Sequence, residues 1–495
     1  MRHKILYTIL LISITIGVSA QEVLTLERAR ELAIENNHNM KIAEKTIEKA
    51  DAERKAVRTM YLPSISASAT MAYLTNTFKQ DLYLPTFKLD PMSGQLVPDY
   101  FYHPITGHPI YGPDGNPVFN SYGYMPLELT LKGAYLAGVN LQQPIFAGGK
   151  IITGNKMAKL GKQMAEKNLS LQEMNAIFES DKAYWTYVSV NEKVKLASQA
   201  LDMLDSLVNF VRKSVDIGLV HQNELGKVMV KHNQATLDLQ KARSGLSLSK
   251  MALCQALGLE FNTDIVVADT VIDCSSEALS MVGNEDVTQR PEYSLLMKQI
   301  DMQNEQIKMN RADFLPTFGV SAGYSWIGGI EITGMEQKSN GFNIMASLKI
   351  PLFHWGEGVY KVKSAKAERD IKNLELEKNS RLLSLETEKA KLDLQDAFMR
   401  ISICETALKQ ASENLELSQT RYELGAELLT DLLISQTQWQ EAHSNLIDAK
   451  TEFKTKLTYY QKATGQLAMS NYSFLIDNCT LLITFNTSAS LSKSP

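Results

Sequence analysis

Four segments of the chain alternate apolar and polar side chains with a period of two, which is the pattern of a β-strand with two unlike faces. They lie at about 63–75, 133–145, 316–327 and 341–352. In the third segment Phe318, Val320 and Ala322 alternate with glycine or hydroxyl residues, and Trp326 stands near its end. Each run has about ten residues, the length of a tilted strand that crosses an outer membrane. The pattern favours a transmembrane β-barrel and leaves open the half-buried strands of a soluble sandwich.

Between the strands the apolar period changes to alternating steps of four and three, which is typical of a coiled-coil seam with small and large layers. In the second half of the chain the seam consists of Ala390, Leu394, Ala397, Ile401, Cys404, Leu408, Ala411 and Leu415. The same steps recur 207 residues earlier, where the seam consists of Ala183, Tyr187, Val190, Val194, Ala197, Leu201, Leu204 and Val208. No proline interrupts residues 145–290 or 352–494, so both stretches are free to be helical.

Two long helices are therefore predicted at about 150–217 and 359–424. At a rise of 1.5 Å per residue each would span roughly 100 Å, far more than a helix of an ordinary globular domain. Further helices are predicted at about 223–257, 430–464, 25–60 and 290–313. The predicted fold class is mainly α with a transmembrane β-barrel, in which a long coiled-coil α-barrel is combined with four strands per chain.

The chain is internally duplicated. The motif at Pro351 repeats the one at Pro144 after 207 residues, and Gly425 repeats Gly218 at the same offset. Upstream, Pro316 repeats Pro63 after 253 residues. The first half must therefore contain 46 extra residues, since 253 minus 207 is 46.

The extra residues form a segment at about 76–130, and eight of the fourteen prolines lie between Pro85 and Pro126. Such a composition opposes regular helices and central strands, so this segment is predicted to be a long extracellular loop. The resulting division of the chain is a signal peptide at 1–20, a first repeat at 21–258, a linker at 259–288, a second repeat at 289–465 and a tail at 466–495.

The first residues have the form of an export signal. Arg2 and Lys4 precede an apolar run at 5–18, and Val18-Ser19-Ala20 fits a small-residue cleavage site. The apolar run is shorter than the ~20 residues that span a bilayer. We expect cleavage after Ala20 and an exported mature chain.

Charge and reactive side chains point away from several functions. There are 51 basic and 55 acidic side chains, and this balance gives no reason to expect a nucleic-acid partner. The four cysteines are scattered, and Cys274 with Cys479 is a possible bridge or a pair of separate thiols. His103 and His108 have no third ligand at a suitable spacing. No catalytic residue, metal site or cofactor is predicted, so the protein is not expected to be an enzyme.

Four strands cannot close a barrel, because about eight are the practical minimum and eight-stranded barrels are filled by their own side chains. Three chains would supply about twelve strands and an open bore. A homotrimeric tunnel is therefore predicted, embedded in outer-membrane lipid.

Several motifs together resemble the TolC family of outer-membrane efflux proteins. They are Pro144-Ile145-Phe146, Pro351-Leu352-Phe353, Arg421-Tyr422-Glu423-Leu424-Gly425 and Ala463-Thr464-Gly465. The resemblance covers about residues 24–465 and implies a passive exit duct in the outer membrane with a helical tunnel in the periplasm. It also implies a periplasmic adaptor and an inner-membrane pump, in an efflux or type I secretion system. The alternative, an exported coiled-coil structural or surface protein, leaves the four strands unexplained.

The resemblance also implies site residues. The helix-to-helix turns that would dock the adaptor are Gly218, Leu219, Val220, Gly425, Ala426 and Glu427. Glu413 and Glu416 lie two to three turns before Gly425, where the family narrows its periplasmic mouth with carboxylate rings. Their counterparts 207 residues earlier are Ser206 and Asn209, so a ring would use one half of each chain. A gate ring and two solvated outer-face glutamates are both compatible with the sequence.

Overall fold

The helices follow the predicted seams closely. The computed structural model describes residues 23–272, 274 and 286–467, so the predicted signal peptide, most of the tail and Cys479 lie outside it. Within these ranges the α-helices are α1 (Leu26–Asn36), α2 (His38–Arg58), α3 (Lys150–Asp216), α4 (Gln222–Leu257), α5 (Pro291–Ala312), α6 (Glu357–Glu423) and α7 (Leu429–Ala463). None of the helices in this part of the chain is long and apolar enough to span a membrane.

The chain divides into two compact units. The helical unit comprises Met1–Arg54, Lys156–Gln306 and Ser364–Pro495, and the sheet unit comprises Lys55–Asn155 and Ile307–Lys363. The boundaries differ from those of the sequence repeats, because each unit takes elements from both halves of the chain.

The second-half seam forms the core between α6 and α7. Ala390, Leu394, Ala397 and Ile401 are buried against residues of α7, including Phe453, which is 1% exposed. Small and large layers alternate there, so knobs of one helix fill holes of the other. Cys404 packs at the edge of this core, as its seam position predicts.

The first-half seam is shifted on α3. Ala183 and Tyr187 are only half-buried, whereas Tyr184, Trp185 and Val188 are buried. The physical reason is the linker, whose residues Ile265, Val267 and Ile272 cover this face of α3. Two short parallel strands, β1 (Val23–Leu24) and β8 (Val266–Val267), hold the linker against the start of the described chain. Tyr184 Oη donates to Asp269 Oδ2 at 2.6 Å, and burial followed by this bond raises the Tyr184 pKa.

Polar contacts give the order of the long helices away from their tips. His232 Nε2 of α4 lies 2.7 Å from Asp205 Oδ1 of α3. Lys193 Nζ of α3 lies 2.6 Å from Asp448 Oδ1 of α7. Arg400 of α6 pairs with Glu452 of α7 at 2.7 Å. The order is therefore α4, α3, α7, α6, with α4 and α6 as the outer members. His232 thus makes a polar contact between α4 and α3.

The sheet unit contains the four predicted strands. They are β2 (Ser64–Tyr73), β7 (Lys132–Ala147), β9 (Thr317–Ile332) and β10 (Met335–Lys349). All neighbours are antiparallel in the order β2, β7, β9, β10, with pairs such as Ile65 with Leu141 and Ile344 with Ala322. The second strand pair extends five to six residues further towards its hairpin turn than the alternation predicted.

The proline-rich segment differs from the predicted irregular loop. It contains β3 (Phe78–Pro85), β4 (Phe87–Leu89), β5 (Leu96–Pro98) and β6 (Tyr122–Thr130). β3 pairs with β6, and β6 reaches β9 only at Leu129 and Thr130. Most of this hairpin therefore has open edges, where a proline interrupts no ladder of hydrogen bonds. Proline content excluded a central strand correctly, but it did not exclude edge strands.

Replacing residues 76–130 with a short Gly-Ser turn should leave the four-stranded sheet intact. The reason is that β2, β7, β9 and β10 pair along their length without this segment, and β6 contributes only two pairs to β9. The test is the fraction of protein in the outer membrane whose electrophoretic migration changes on boiling. Loss of this form in the deletion variant would show that the hairpin is required for folding.

Candidate functional site

The turn between α3 and α4 is built on Gly218. This residue has φ +76°, a left-handed conformation that favours glycine. Its N–H donates to Val215 O at 2.9 Å, and the N–H of Leu219 donates to Ser214 O at 2.8 Å. These two bonds form a Schellman motif, which satisfies the last carbonyls of the long helix.

The turn between α6 and α7 has the same construction 207 residues later. Gly425 has φ +73° and donates its N–H to Tyr422 O at 2.9 Å. The N–H of Ala426 donates to Arg421 O at 2.8 Å. The repeated Gly motif thus ends both long helices in one geometry, and we call the two turns the helical tips.

Four large apolar side chains are exposed at the tips. Leu219 is 74% exposed, and so are Ile217 at 72%, Leu424 at 78% and Leu428 at 69%. Of the predicted docking residues, Val220 instead packs partly buried against the core of the tips. The predicted docking residues begin at the glycines, and Ile217 and Leu424, which directly precede them, are as exposed as Leu219. Their position beside a left-handed helix end is visible in the sequence.

Glu427 has a different role from the other tip residues. Its carboxylate accepts a hydrogen bond from Ser418 Oγ, and Ser418 is 2% exposed on α6. One turn away, Asn414 Nδ2 donates to Ser435 Oγ at 3.0 Å. Glu427 therefore joins the turn to α6, and it is half-buried where the sequence predicted a docking residue.

A hydrophobic cluster below the turns joins all four long helices. Its buried members are Leu204, Val208, Val211, Leu225, Val228, Leu429 and Leu433. Tyr422 of α6 contacts this cluster and lies edge-on to Phe210 of α3, with ring centroids 6.0 Å apart. Burial, with a smaller effect of the Glu224 charge, raises the pKa of Tyr422. The tips are thus a packed bundle, and a small cleft of about 190 Å³ lies beside Ser206 and Phe210.

Glu413 and Glu416 lie on one face of α6, since residues three apart are neighbours on a helix. Both are exposed in the single chain, whereas Leu415 and Ser418 form the buried face. Helical spacing places the two glutamates away from that buried face. The two side chains therefore share one exposed face of α6, away from the α7 partner. Ser206 and Asn209 are exposed at the corresponding positions of α3.

The cysteines Cys254 and Cys274 take part in the packing of the fold. Cys254 is fully buried, and burial raises the pKa of its thiol. Cys274 Sγ lies 3.9 Å from Lys450 O, and the predicted pairing with Cys479 involves a residue outside the described ranges. No group of three or more His, Cys, Asp or Glu side chains in residues 23–272, 274 and 286–467 is arranged to hold a metal ion.

Gly218→Ala should destabilise the tip by about 1 kcal/mol, because an alanine in the left-handed conformation is strained although the space around it is open. Gly226→Ala is the matched control, since Gly226 is inside α4 with nothing within 4 Å. There alanine should stabilise the helix by about 0.5–1 kcal/mol. Amide hydrogen exchange of the α3–α4 turn would measure both effects. Equal exchange rates in the two variants would contradict the assigned turn geometry.

Comparisons with known proteins agree with this architecture. The family model described as outer membrane efflux protein matches residues 29–259 and 289–466. The outer membrane protein TolC of Vibrio cholerae is 19% identical over 337 residues, covering 67% of this chain and 77% of that protein.

Three solved structures have the same fold. One is CusC, whose crystal structures concern the conformational changes that accompany folding and transmembrane channel formation. Its TM-score is 0.66 at 14% identity, and the match covers 90% of this chain and 92% of that chain. The Campylobacter jejuni CmeC outer membrane channel has a TM-score of 0.65 at 18% identity, with coverages of 90% and 88%. The open state of the Neisseria gonorrhoeae MtrE channel has a TM-score of 0.63 at 17% identity, with coverages of 89% and 88%. The likeness confirms the predicted TolC-like fold, mainly helical with a curled sheet.

Proposed function

Because the chain belongs to the outer membrane efflux protein family, we propose that it is the passive exit duct of a tripartite efflux or type I secretion system. The protein is an outer-membrane channel protein and not an enzyme. The duct would be a homotrimer that docks a periplasmic adaptor linked to an inner-membrane pump. The family match disfavours the alternative, an exported coiled-coil protein without channel activity.

The observation that carries the proposal is that the four-stranded sheet has an unpaired strand at each end. Among the described residues, β2 pairs only with β7, and β10 pairs only with β9. Apolar side chains on both edge strands are exposed, including Ile65 at 71% and Ile344 at 70%. A long, exposed apolar edge strand is a site for pairing with another chain. Four strands per copy then close into a twelve-stranded barrel when three copies join β2 to β10.

The helical unit has two open edges of its own. On α4 the exposed residues Val230, Leu237 and Met251 recur at multiples of seven, and we call them the α4 stripe. On α6 the exposed residues Leu385, Leu392 and Met399 recur every seven residues, and we call them the α6 stripe. A seven-residue apolar repeat is the seam of a coiled coil. Since the two stripes differ and lie on the outer helices, they support a head-to-tail contact that closes as a ring.

The exposed apolar side chains at the helical tips favour a protein partner there. The exposed side chains of Ile217, Leu219, Leu424 and Leu428 form an apolar surface at the two turns. Three copies would present six such turns around one opening, which fits a ring-shaped adaptor. Glu427 would support this surface through Ser418 instead of contacting the adaptor itself.

Cross-linking between copies tests the ring. The contacts of His232 with Asp205, Lys193 with Asp448 and Arg400 with Glu452 place Met251 and Met399 at about the same level. With the native cysteines replaced by alanine, Met251→Cys plus Met399→Cys should give a bis-maleimide ladder that stops at three subunits.

A matched control is Val230→Cys with Ile434→Cys, since the same contacts place Val230 of the α4 stripe level with Ile434, which is 54% exposed on α7, not an edge helix. This pair should give no ladder. A ladder ending at two subunits, or equal products from both pairs, would contradict the head-to-tail trimer.

The gate proposal places the carboxylates of Glu413 and Glu416 around the periplasmic mouth. Three-fold symmetry would create a ring of three or six negative charges, which favours cations and binds multivalent cations. Glu413→Gln with Glu416→Gln should therefore weaken cation selectivity and relieve block by trivalent cations added from the periplasmic side. Single-channel conductance in a planar bilayer measures both quantities.

The charge control for the gate is Glu368→Gln with Glu388→Gln, which removes the same charge from exposed positions of α6 far from the tip. This control should leave selectivity and block unchanged. If the gate variant also behaves like the unmodified channel, both glutamates lie on the outer face.

A further inference from the structure

One carboxylate is fully buried where α1, α3 and α7 meet. The side chain of Asp181 on α3 has no exposed area. It accepts hydrogen bonds from Arg30 Nε at 2.8 Å and Arg30 Nη2 at 2.6 Å, and from Thr458 Oγ1 at 2.9 Å. A bidentate arginine and a hydroxyl thus satisfy the carboxylate, which is what a charge removed from water requires.

The next residue of α7 makes a similar contact to α6. Tyr459 Oη donates to Glu386 Oε1 at 2.8 Å. Arg290, whose side chain is 3% exposed, donates from Nη2 to Glu386 Oε2 at 2.9 Å and also pairs with Glu292 at the start of α5. A polar belt therefore crosses the helical unit at one level. It consists of Arg30, Asp181, Thr458, Tyr459, Glu386 and Arg290.

The apolar packing between the belt and the tips does not by itself define an axial position. On α3 the buried residues Ala197, Leu204 and Val211 recur every seven residues, as Ala390 and Ala397 do on α6. A helix displaced by one repeat would meet a nearly equivalent set of holes. Directional polar contacts distinguish these positions, as a buried polar residue does in a coiled coil. Besides the belt, α7 contacts α3 through Gln436 Nε2, which donates to Ala200 O at 3.3 Å, and through the ion pair of Lys193 with Asp448.

We propose that the polar belt sets the axial register of α3 against α7, with Asp181 as the positioning residue. The proposal concerns the helical unit itself, and only its consequence for export rests on the proposed function. A slip of one seven-residue repeat at the belt would move the end of a rigid helix by about 10.5 Å. Because Gly218 and Gly425 lie at the far ends of α3 and α6, the belt would align the two tips for a common partner.

The first variant removes the two hydroxyl groups through which α7 contacts the belt and leaves both ion pairs in place. Thr458→Val with Tyr459→Phe removes the two hydroxyl donors, while Arg30 still holds Asp181 and Arg290 still holds Glu386. No buried charge loses its arginine, so the variant should fold. It should reach the outer membrane in the amount of the unmodified protein.

Register is measured by cross-linking α3 to α7 in the full-length protein with its native cysteines replaced by alanine. Lys193→Cys is combined in turn with Glu441→Cys, Asp448→Cys or Thr455→Cys, which sample the native partner and one seven-residue repeat on either side. In the unmodified belt the bis-maleimide product at position 448 should dominate. In the variant the product should be redistributed to 441 or 455, with at least a several-fold fall in the ratio of the 448 product to the other two.

Arg400→Met with Glu452→Leu is the control, because it removes an exposed ion pair that joins α6 to α7 outside the belt. The product at 448 should continue to dominate there. An unchanged pattern in the belt variant would overturn the proposal, as would the same redistribution in the control.

A second variant keeps the test decisive if the first does not fold. Arg30→Met, Asp181→Leu and Thr458→Val together replace one half of the belt by apolar side chains, an exchange that often preserves or raises stability. It must give the same redistribution, and a dominant product at 448 would overturn the proposal. Single-channel conductance of the unmodified protein distinguishes failure of the register inference from failure of the proposed channel function. An unmodified protein with the 448 product and no conductance would contradict the proposed function and leave the register inference intact.

Discussion

Packing of small against large seam residues between antiparallel helices is the interaction on which the structure depends. A 67-residue helix with polar faces gains most of its stability from packing one apolar face against a partner. Along α6 that face is supplied by Ala390, Leu394, Ala397 and Ile401, which are buried against α7. The corresponding apolar face of α3 packs against α4, α7 and the linker. Without this seam neither the tips nor the belt would have a rigid support.

The seam leaves the chain incomplete as a single copy. It buries one face of each long helix, while the α4 and α6 stripes and the two sheet edges stay exposed. A monomeric soluble protein rarely exposes so much apolar surface in continuous rows. The duplication explains why the chain has two such edges, since each half of the chain brings one strand pair and one long hairpin. Family membership and geometry thus point to the same assembled channel.

Apolar and polar contacts have different tasks in the helical unit. The seam contributes most of the favourable free energy of burial, and its periodicity makes neighbouring registers similar. The belt contributes directional bonds that exist in one register only. At the tips the division recurs, because Leu219 and Leu424 are exposed while Glu427 and Ser418 hold the turn together from within.

The sequence by itself determined the elements, because their signals are local and periodic. Alternation located β2, β7, β9 and β10, the seam located the long helices to within two residues, and the repeated Gly218 and Gly425 located the tips. What the tertiary structure decided depends on residues far apart in the chain. The linker shifted the buried face of α3 towards Tyr184, an open edge allowed strands in the proline-rich segment, and Ser418 turned Glu427 inward. Periodicity describes a helix face but does not name its partner, and only the partner decides which side chains are buried.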